Sequence, residues 1–335
     1  MQALEHLYPL IQTPRRIVVT MHQKPDGDAM GSALAMFHFL KSLGHQVTVV
    51  SPSNWAKFLN WMPGCNEVID YELYTAKSKE LINNAELLFC LDFNSMHRTK
   101  KLETVLLEVK CVKVLIDHHE KPVEEHFEYG ASNILKSSTC EMVYDFIVQS
   151  PYRDNLNLNM AACIYTGIMT DTGSFRFAIT SAETHKAVAH LKALGLEHSI
   201  IHEKIYDNFL ENRLRFIGNA LLYHLQVLYE YNTALMAISK KDIIKFDIQT
   251  GDTEGLVNYL LTIQDIKFGA LLIDRVEERK WSFRSKGNFD VNEFARLHFE
   301  GGGHKNAAGG RSSENIEFNI QKFKEVLKLY EADLA

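Results

Sequence analysis

A chain of 335 residues, 46% hydrophobic and 23% charged, is long enough for two domains and has the composition of an ordinary globular protein. Its 42 acidic residues outnumber its 36 lysines and arginines, for a formal net charge of -6, and no basic block interrupts that balance. This excludes a protein that tracks long nucleic acid by its phosphates, which needs a basic face, but leaves small anionic substrates open. The opening "MQALEHLYPLIQTPRR" has no basic stretch followed by an apolar core, so it is not a secretory signal. No apolar run approaches membrane-spanning length, and the expected location is the cytoplasm. The five widely spaced cysteines form no C-x-x-C pair, which points to reduced, buried thiols rather than a disulfide framework or zinc ribbon.

In chain order, "RIVVTMH" (16–22), "QVTVVS" (46–51), "ELLFCLDF" (86–93) and "VKVLIDHH" (112–119) are near-continuous apolar runs rich in β-branched residues. That pattern belongs to parallel strands covered on both faces. The helical stretch 29–45 joins the first two and stops at Gly44. After the helical "SSTCEMVYDFIVQ" (137–149) come "NLNMAACIYTGIMTDTGSF" (157–175), a helix at 181–196, and a long polar helical stretch at 199–222 suited to a connector. From about 224 the texture changes to antiparallel strands, with a hairpin in "FGALLIDRVEERKWSFRSKG" around a charged turn, and then amphipathic helices. The expected fold class is α/β. An N-terminal domain on a parallel sheet (1–195) precedes a helical linker (196–215) and a smaller C-terminal α+β domain with a mixed or antiparallel sheet (216–335).

Three of the four early strands end in Asp or His: His22, Asp26 and Asp28 after the first, Asp92 after the third, and Asp117-His118-His119 after the fourth. Asp171 follows in "MTDTGSF". In open α/β sheets, ligands bind beyond the carboxyl ends of the strands. Any one of these residues could do no more than cap a turn. Together, carboxylates gathered on one sheet edge repel one another unless cations neutralise them, and a mixed His/Asp set suits manganese or another borderline divalent ion. Two such ions, about 3.5–4 Å apart, can activate a water and clamp a phosphoryl oxygen.

The motifs "HQKPDGDAMGS", "LDFNSMHR", "IDHHE", "GIMTDTGSFRF" and "GGGHKNAAGG" occur in that order, and with them the chain resembles the DHH phosphoesterases carrying a type-1 DHH-associated domain. Within that family it is most similar to the bacterial oligoribonuclease/pAp phosphatases, or nanoRNases. The resemblance implies one manganese on His22, Asp26 and Asp92, and a second on Asp28, Asp92, His118 and Asp171, with magnesium or cobalt as substitutes. Asp92 would bridge the two and Asp117 would support a neighbouring histidine. His119 would face the phosphate or the leaving oxygen.

On the substrate side, the glycine-rich "FEGGGHKNAAGG" (299–310) either lets backbone N–H groups approach a phosphate or base, or is a flexible loop; its later small residues suit a helix start. The resemblance favours the first, with Gly301, Gly302, Gly303 and His304 holding the far end of the substrate from the second domain. It also assigns Arg284 to the terminal nucleotide, where a guanidinium fork suits phosphate or base edges. Arg98, six residues after Asp92, is expected on the scissile phosphate, though an arginine near carboxylates also serves as a plain ion pair. Ser138 or Thr139 offers a hydroxyl beside the metals or an N-cap. The implied substrates are short RNA oligonucleotides and nucleotide bisphosphates such as 3′-phosphoadenosine 5′-phosphate, with no long duplex and no membrane partner; a homodimer is compatible. The competing readings are an inorganic pyrophosphatase or exopolyphosphatase, a RecJ-like single-strand exonuclease, and a non-catalytic nucleotide sensor.

Overall fold

The computed structural model describes residues 1–275 and 278–335, so residues 276–277 of the expected charged turn lie outside the described residues. The chain divides into two compact units, Met1–Asn208 and Phe209–Ala335. In the first, β1 (Arg16–Thr20), β2 (Gln46–Ser51), β3 (Ile69–Asp70), β4 (Leu87–Leu91), β5 (Val112–Asp117) and β6 (Tyr129–Ser132) form one sheet. Its order is β3-β2-β1-β4-β5-β6 and every pairing is parallel. The helices are α1 (Gly27–Ser42), α2 (Thr75–Asn83), α3 (Glu103–Glu108), α4 (Thr139–Gln149), α5 (Leu158–Asp171), α6 (Ala182–Ala193) and α7 (His198–Tyr206).

All five residues of β4 are buried, because both faces of the sheet are covered. Leu87, Phe89 and Leu91 join a core with residues of α1, α4 and α5, while Leu88 and Cys90 join one with Ile82 of α2 and Leu106 of α3. That two-sided burial is what the unbroken apolar runs encode. The edge strands β3 and β6 escape such a reading, since β3 has two residues and β6 is only half-buried along its length. The strand order reverses between β1 and β4. Chains leaving those two strands therefore diverge to opposite sides, and a crevice opens at their carboxyl ends.

Helix α1 is buried without interruption from Gly27 to Phe37, so it needs small residues where it crosses its neighbours. A Cβ on Gly31 would lie 2.6 Å from the Cys163 carbonyl oxygen and 2.8 Å from Cys140 Sγ. Just past the helix, His45 is buried between two backbone groups. Its Nδ1 accepts from the Arg15 N–H at 3.1 Å and its Nε2 donates to the Ile11 carbonyl at 3.1 Å. This fixes a neutral ring. Burial, with help from Arg15, holds its pKa below the ordinary 6.5. A base depressed in this way contributes stability that is present above its unfolded pKa and is lost as pH falls through its folded one. Between pH 7 and 5, the melting temperature of the native protein should therefore fall more than that of His45→Gln; parallel melting curves for the two check this.

The second unit contains α8 (Glu211–Tyr223), β7 (Leu225–Leu228), β8 (Thr233–Ile238), α9 (Lys240–Lys245), α10 (Leu256–Leu260), β9 (Phe268–Asp274), β10 (Arg279–Ser285), α11 (Val291–His298), β11 (Gly302–His304), β12 (Ala307–Ser312), α12 (Ile316–Leu327) and α13 (Glu331–Leu334). Its sheet runs β11-β12-β10-β9-β8-β7, with β8 and β9 parallel and the other pairs antiparallel. The expected hairpin is β9–β10. Phe268, Trp281, Phe283, Phe294, Phe299 and Phe323 fill one face of the sheet, and Met236, Leu271 and Ile273 pack with α8 and α10 on the other. This is the mixed-sheet α+β architecture read from the sequence. Among the described residues, no helix is long and apolar enough to cross a membrane.

Two local expectations need correction. The helical stretch 199–222 is not continuous but breaks between α7 and α8. Asp207 and Asn208 are turn-prone residues that compete with the helix backbone, and the Arg213 guanidinium packs 3.5 Å from the centre of the Phe209 ring, fixing the restart. The glycine-rich segment is neither a loose loop nor a helix start. It forms the hairpin β11–β12, turning at Lys305–Asn306, and a Cβ on Gly301 would sit 1.9 Å from the Gly309 carbonyl oxygen.

Candidate active site

The switch point between β1 and β4 gathers the side chains singled out in the sequence. Asp26 is the N-cap of α1, its Oδ1 accepting from the N–H groups of Asp28 and Ala29, both at 3.1 Å. The cap and a role in the site are thus compatible, since half of the Asp26 side chain remains exposed. Asp28, one residue into the helix, is buried and points at the N-terminus of α4. There the Thr139 N–H donates to its Oδ2 at 2.7 Å and the Cys140 N–H donates to its Oδ1 at 2.8 Å. Asp92 directly follows β4 and adopts φ 63°, a left-handed conformation that aspartate tolerates better than most residues. Its Oδ1 accepts from Thr139 Oγ1 at 3.0 Å.

Each histidine is oriented by a bond at Nδ1. His22 Nδ1 bonds the Gln23 carbonyl at 3.0 Å and His118 Nδ1 the Lys136 carbonyl at 3.3 Å, so both turn Nε2 toward the carboxylates. His22 Nε2 lies 3.4 Å from Asp92 Oδ2 and 3.8 Å from Asp26 Oδ1. His118 Nε2 lies 3.4 Å from Asp171 Oδ2, 3.6 Å from Asp92 Oδ1 and 3.8 Å from Asp28 Oδ2. His119 differs: its Nδ1 donates to the fully buried Asp117 Oδ1 at 2.7 Å and is 3.7 Å from Asp92 Oδ1. Two donor sets built on Nε2 therefore share Asp92, and a third close group, Asp92, Asp117 and His119, is closed by the His119–Asp117 hydrogen bond. His22, Asp26 and Asp92 place one ligand atom each within 4.8 Å of one another, and so do Asp28, Asp92 and His118.

The electrostatics are those of a site short of positive charge. Burial, then the nearby Asp92 and Asp171, push the Asp28 carboxyl well above its ordinary range despite the two N–H donors. Burial opposes a charge on His118, but Asp171, Asp28 and Asp92 outweigh it and hold its pKa at about 9. His22 is likewise raised, by Asp92 and Asp26 against burial and Arg98. His119 moves the other way, lowered by burial and by Arg98 despite its bond to Asp117. The donors are carboxylate oxygens and imidazole nitrogens with orienting carbonyls behind them, which fits borderline or hard divalent ions. The five cysteines are free. Cys140 sits beside Asp28, and burial together with that carboxylate keeps it a thiol, so it is no competing soft ligand.

Arg98 lies on the 3-10 segment Met96–Leu102, whose backbone is tied to the histidine loop by a 3.0 Å bond from the Gln23 N–H to the Arg98 carbonyl. Its charge reaches His22 and His119, and among the described residues it forms no ion pair. Ser138 is fully buried and its hydroxyl accepts from the Glu141 N–H at 3.0 Å, capping α4, which is the N-cap alternative that the sequence offered. Its neighbour Thr139 is the residue that reaches the cluster. The Cys140 N–H and the Lys136 carbonyl went unrecognised in the sequence, because backbone donors and acceptors carry no residue signature.

In the second unit, Ala307 of β12 pairs with His304 on β11 and with Arg284 on β10. Residues in register across a sheet share a face, so Arg284 and His304 flank one alanine on the same side. The next two rows across these strands pass through Gly303 and Gly302, which leave the backbone uncovered.

The DHH family, N-terminal domain, matches residues 16–168, and the DHHA1 domain matches residues 226–333. The crystal structure of an exopolyphosphatase-related protein from Bacteroides fragilis superposes with a TM-score of 0.94 at 35% identity, covering 99% of this chain and 97% of that one. The chain belongs to the DHH family. The bifunctional oligoribonuclease and PAP phosphatase NrnA of Thermus thermophilus is 27% identical over 300 residues, which is 88% of this chain and 83% of that protein. RecJ from the same organism, crystallised in complex with Mn2+, shares the fold at 12% identity with a TM-score of 0.52, covering 99% of this chain and 55% of RecJ. This DHH protein is accordingly a hydrolytic phosphoesterase.

Proposed function

We propose that the chain hydrolyses short oligoribonucleotides to mononucleotides, and 3′-phosphoadenosine 5′-phosphate to AMP, in the cytoplasm and with two divalent cations, preferably manganese. The observation that carries the reading is the pair of donor sets joined at Asp92. The NrnA name of the relatives supports the substrates, and the Mn2+ bound by RecJ supports the ion.

His22, Asp26 and Asp92 would hold one ion, and Asp28, Asp92, His118 and Asp171 the other. Such a pair supplies an activated water and positive charge for the phosphoryl oxygens. The rest falls to side chains. Arg98 places its guanidinium against the scissile phosphate and stabilises the charge that develops there. Asp117 fixes the His119 ring through Nδ1, which offers Nε2 to the phosphate or leaving oxygen. Water oxygen bonds to phosphorus, the ester P–O bond breaks, and the ribose hydroxyl leaves with a proton. Arg284, His304 and the glycines Gly301, Gly302 and Gly303 bind the part of the substrate away from that bond.

A panel of dinucleotides, pAp, longer RNA, pyrophosphate and polyphosphate, each with manganese, magnesium and cobalt, tests the proposal. Nucleoside monophosphate release from dinucleotides and phosphate release from pAp should dominate. A faster rate on pyrophosphate or polyphosphate would instead favour the competing hydrolase reading. Arg98→Ala should lower kcat on dinucleotides by roughly 10²–10³-fold, as loss of one aimed donor does; steady-state rates check it.

A further inference from the structure

Outside the donor sets lies a charged network, buried at Glu141 and half-buried at Lys136 and Asp145, that the mechanism does not use. Glu141, in the first turn of α4, has a side chain only 2% exposed. The sequence Ser138-x-x-Glu141 is that of a capping box, in which the glutamate would bond back to the N-cap N–H. The Ser138 half forms, but the Glu141 carboxylate reaches one residue further. Its Oε2 accepts from the Ser137 N–H at 3.1 Å, from Ser137 Oγ at 2.6 Å and from Thr184 Oγ1 of α6 at 2.9 Å. Its Oε1 accepts from Lys136 Nζ at 2.8 Å, and that ammonium also meets Asp145 Oδ2 at 2.6 Å. Lys136 and Ser137 keep the Glu141 carboxyl below its ordinary range against the opposing effect of burial.

A buried ion pair is poor value for stability, because desolvation offsets most of the attraction. What this one fixes is more telling. The Lys136 carbonyl orients His118 through Nδ1, and the Thr139 and Cys140 N–H groups hold both oxygens of Asp28. Glu141 clamps the segment 136–137 to the first turn of α4, and so sets the distance between the two anchors. We infer that Glu141 is a positioning residue that holds His118 and Asp28 at the spacing a divalent cation requires. The inference rests on the metal-site reading proposed above.

Calorimetric titration of the metal-stripped, full-length protein with manganese tests it without reference to turnover. Glu141→Gln should weaken manganese binding by about 10–100-fold, the range seen when an orienting partner of a ligand is lost. Ser137→Ala removes one hydrogen bond and no charge, and should weaken it by a few-fold. Thr184→Val cuts the link to α6 and should lower the melting temperature while leaving manganese affinity as in the native chain. Native affinity in Glu141→Gln, whatever its melting temperature, would overturn the inference. If Glu141→Gln does not fold, native affinity in Ser137→Ala overturns it instead. A native protein that takes up no manganese would fail the metal-site reading itself, a result distinct from either.

Discussion

Replacing Asp92 with asparagine should reduce hydrolysis of a dinucleotide by at least about 10³-fold, the scale expected when a group on which a whole catalytic unit depends is lost. Asp92 is the carboxylate common to both donor sets, and it is only 2% exposed, so no neighbour can move in to replace it. Asparagine is the informative substitution. It keeps the size of the side chain and tolerates φ 63°, whereas alanine in that region adds a backbone penalty of about 1–2 kcal/mol. Stability should fall as well. Asp92 pushes Asp28 upward, but burial opposes its own charge and His22, His119 and His118 outweigh that, holding the Asp92 carboxyl below its ordinary range, so the charge is net favourable in the metal-free protein at neutral pH. The metal-free melting temperature of Asp92→Asn should therefore lie below that of the native chain while activity disappears. Initial rates and melting curves on the same preparation check both halves. More than a tenth of native activity would contradict the shared-ligand arrangement.

Gly167→Ala should damage stability and catalysis together. Gly167 lies on α5 where α1 and α4 converge, and a Cβ there would stand 2.1 Å from Cys140 Sγ and 2.7 Å from Asp28 Oδ1. Overpacking at such a site costs about 1–3 kcal/mol. A displacement of Asp28 approaching 1 Å would reduce the rate by roughly 10²-fold. The double variant Gly167→Ala/Cys140→Ala separates the two effects. Loss of Sγ removes the closest clash but leaves those with Asp28 Oδ1 and, at 2.8 Å, with the Cβ of residue 140, so the melting temperature should recover in part and by more than the rate does. Equal recovery of both would mean that the packing defect alone was responsible.

Much of this was legible in the sequence because the signals were local. A strand buried on both faces has to be apolar throughout, and "LLFCL" is. A charged residue at the last position of such a strand, or within two residues past it, sits at its carboxyl end whatever the rest of the fold does, which is why His22, Asp92 and Asp117 could be located. What stayed hidden depends on distant pairings. Nothing near Asp28 announces that its oxygens are bound by backbone N–H groups more than a hundred residues away. Ser138 and Thr139 look alike as hydroxyl donors, and only the turn of α4 decides that the first caps the helix and the second reaches Asp92. The glycine-rich segment misled for a similar reason. Its residues serve close strand approach in β11–β12, a requirement set by Gly309 across the hairpin rather than by its own flexibility.

The central claim is that side chains from loops after β1, β4 and β5, together with the end of α5, enclose two divalent cations around Asp92. Anomalous diffraction from crystals of the native protein grown with manganese chloride tests it most directly. The account predicts two manganese peaks per chain, one among His22, Asp26 and Asp92 and one among Asp28, Asp92, His118 and Asp171. A well-ordered crystal with no manganese at these side chains, or with manganese bound elsewhere, would contradict it.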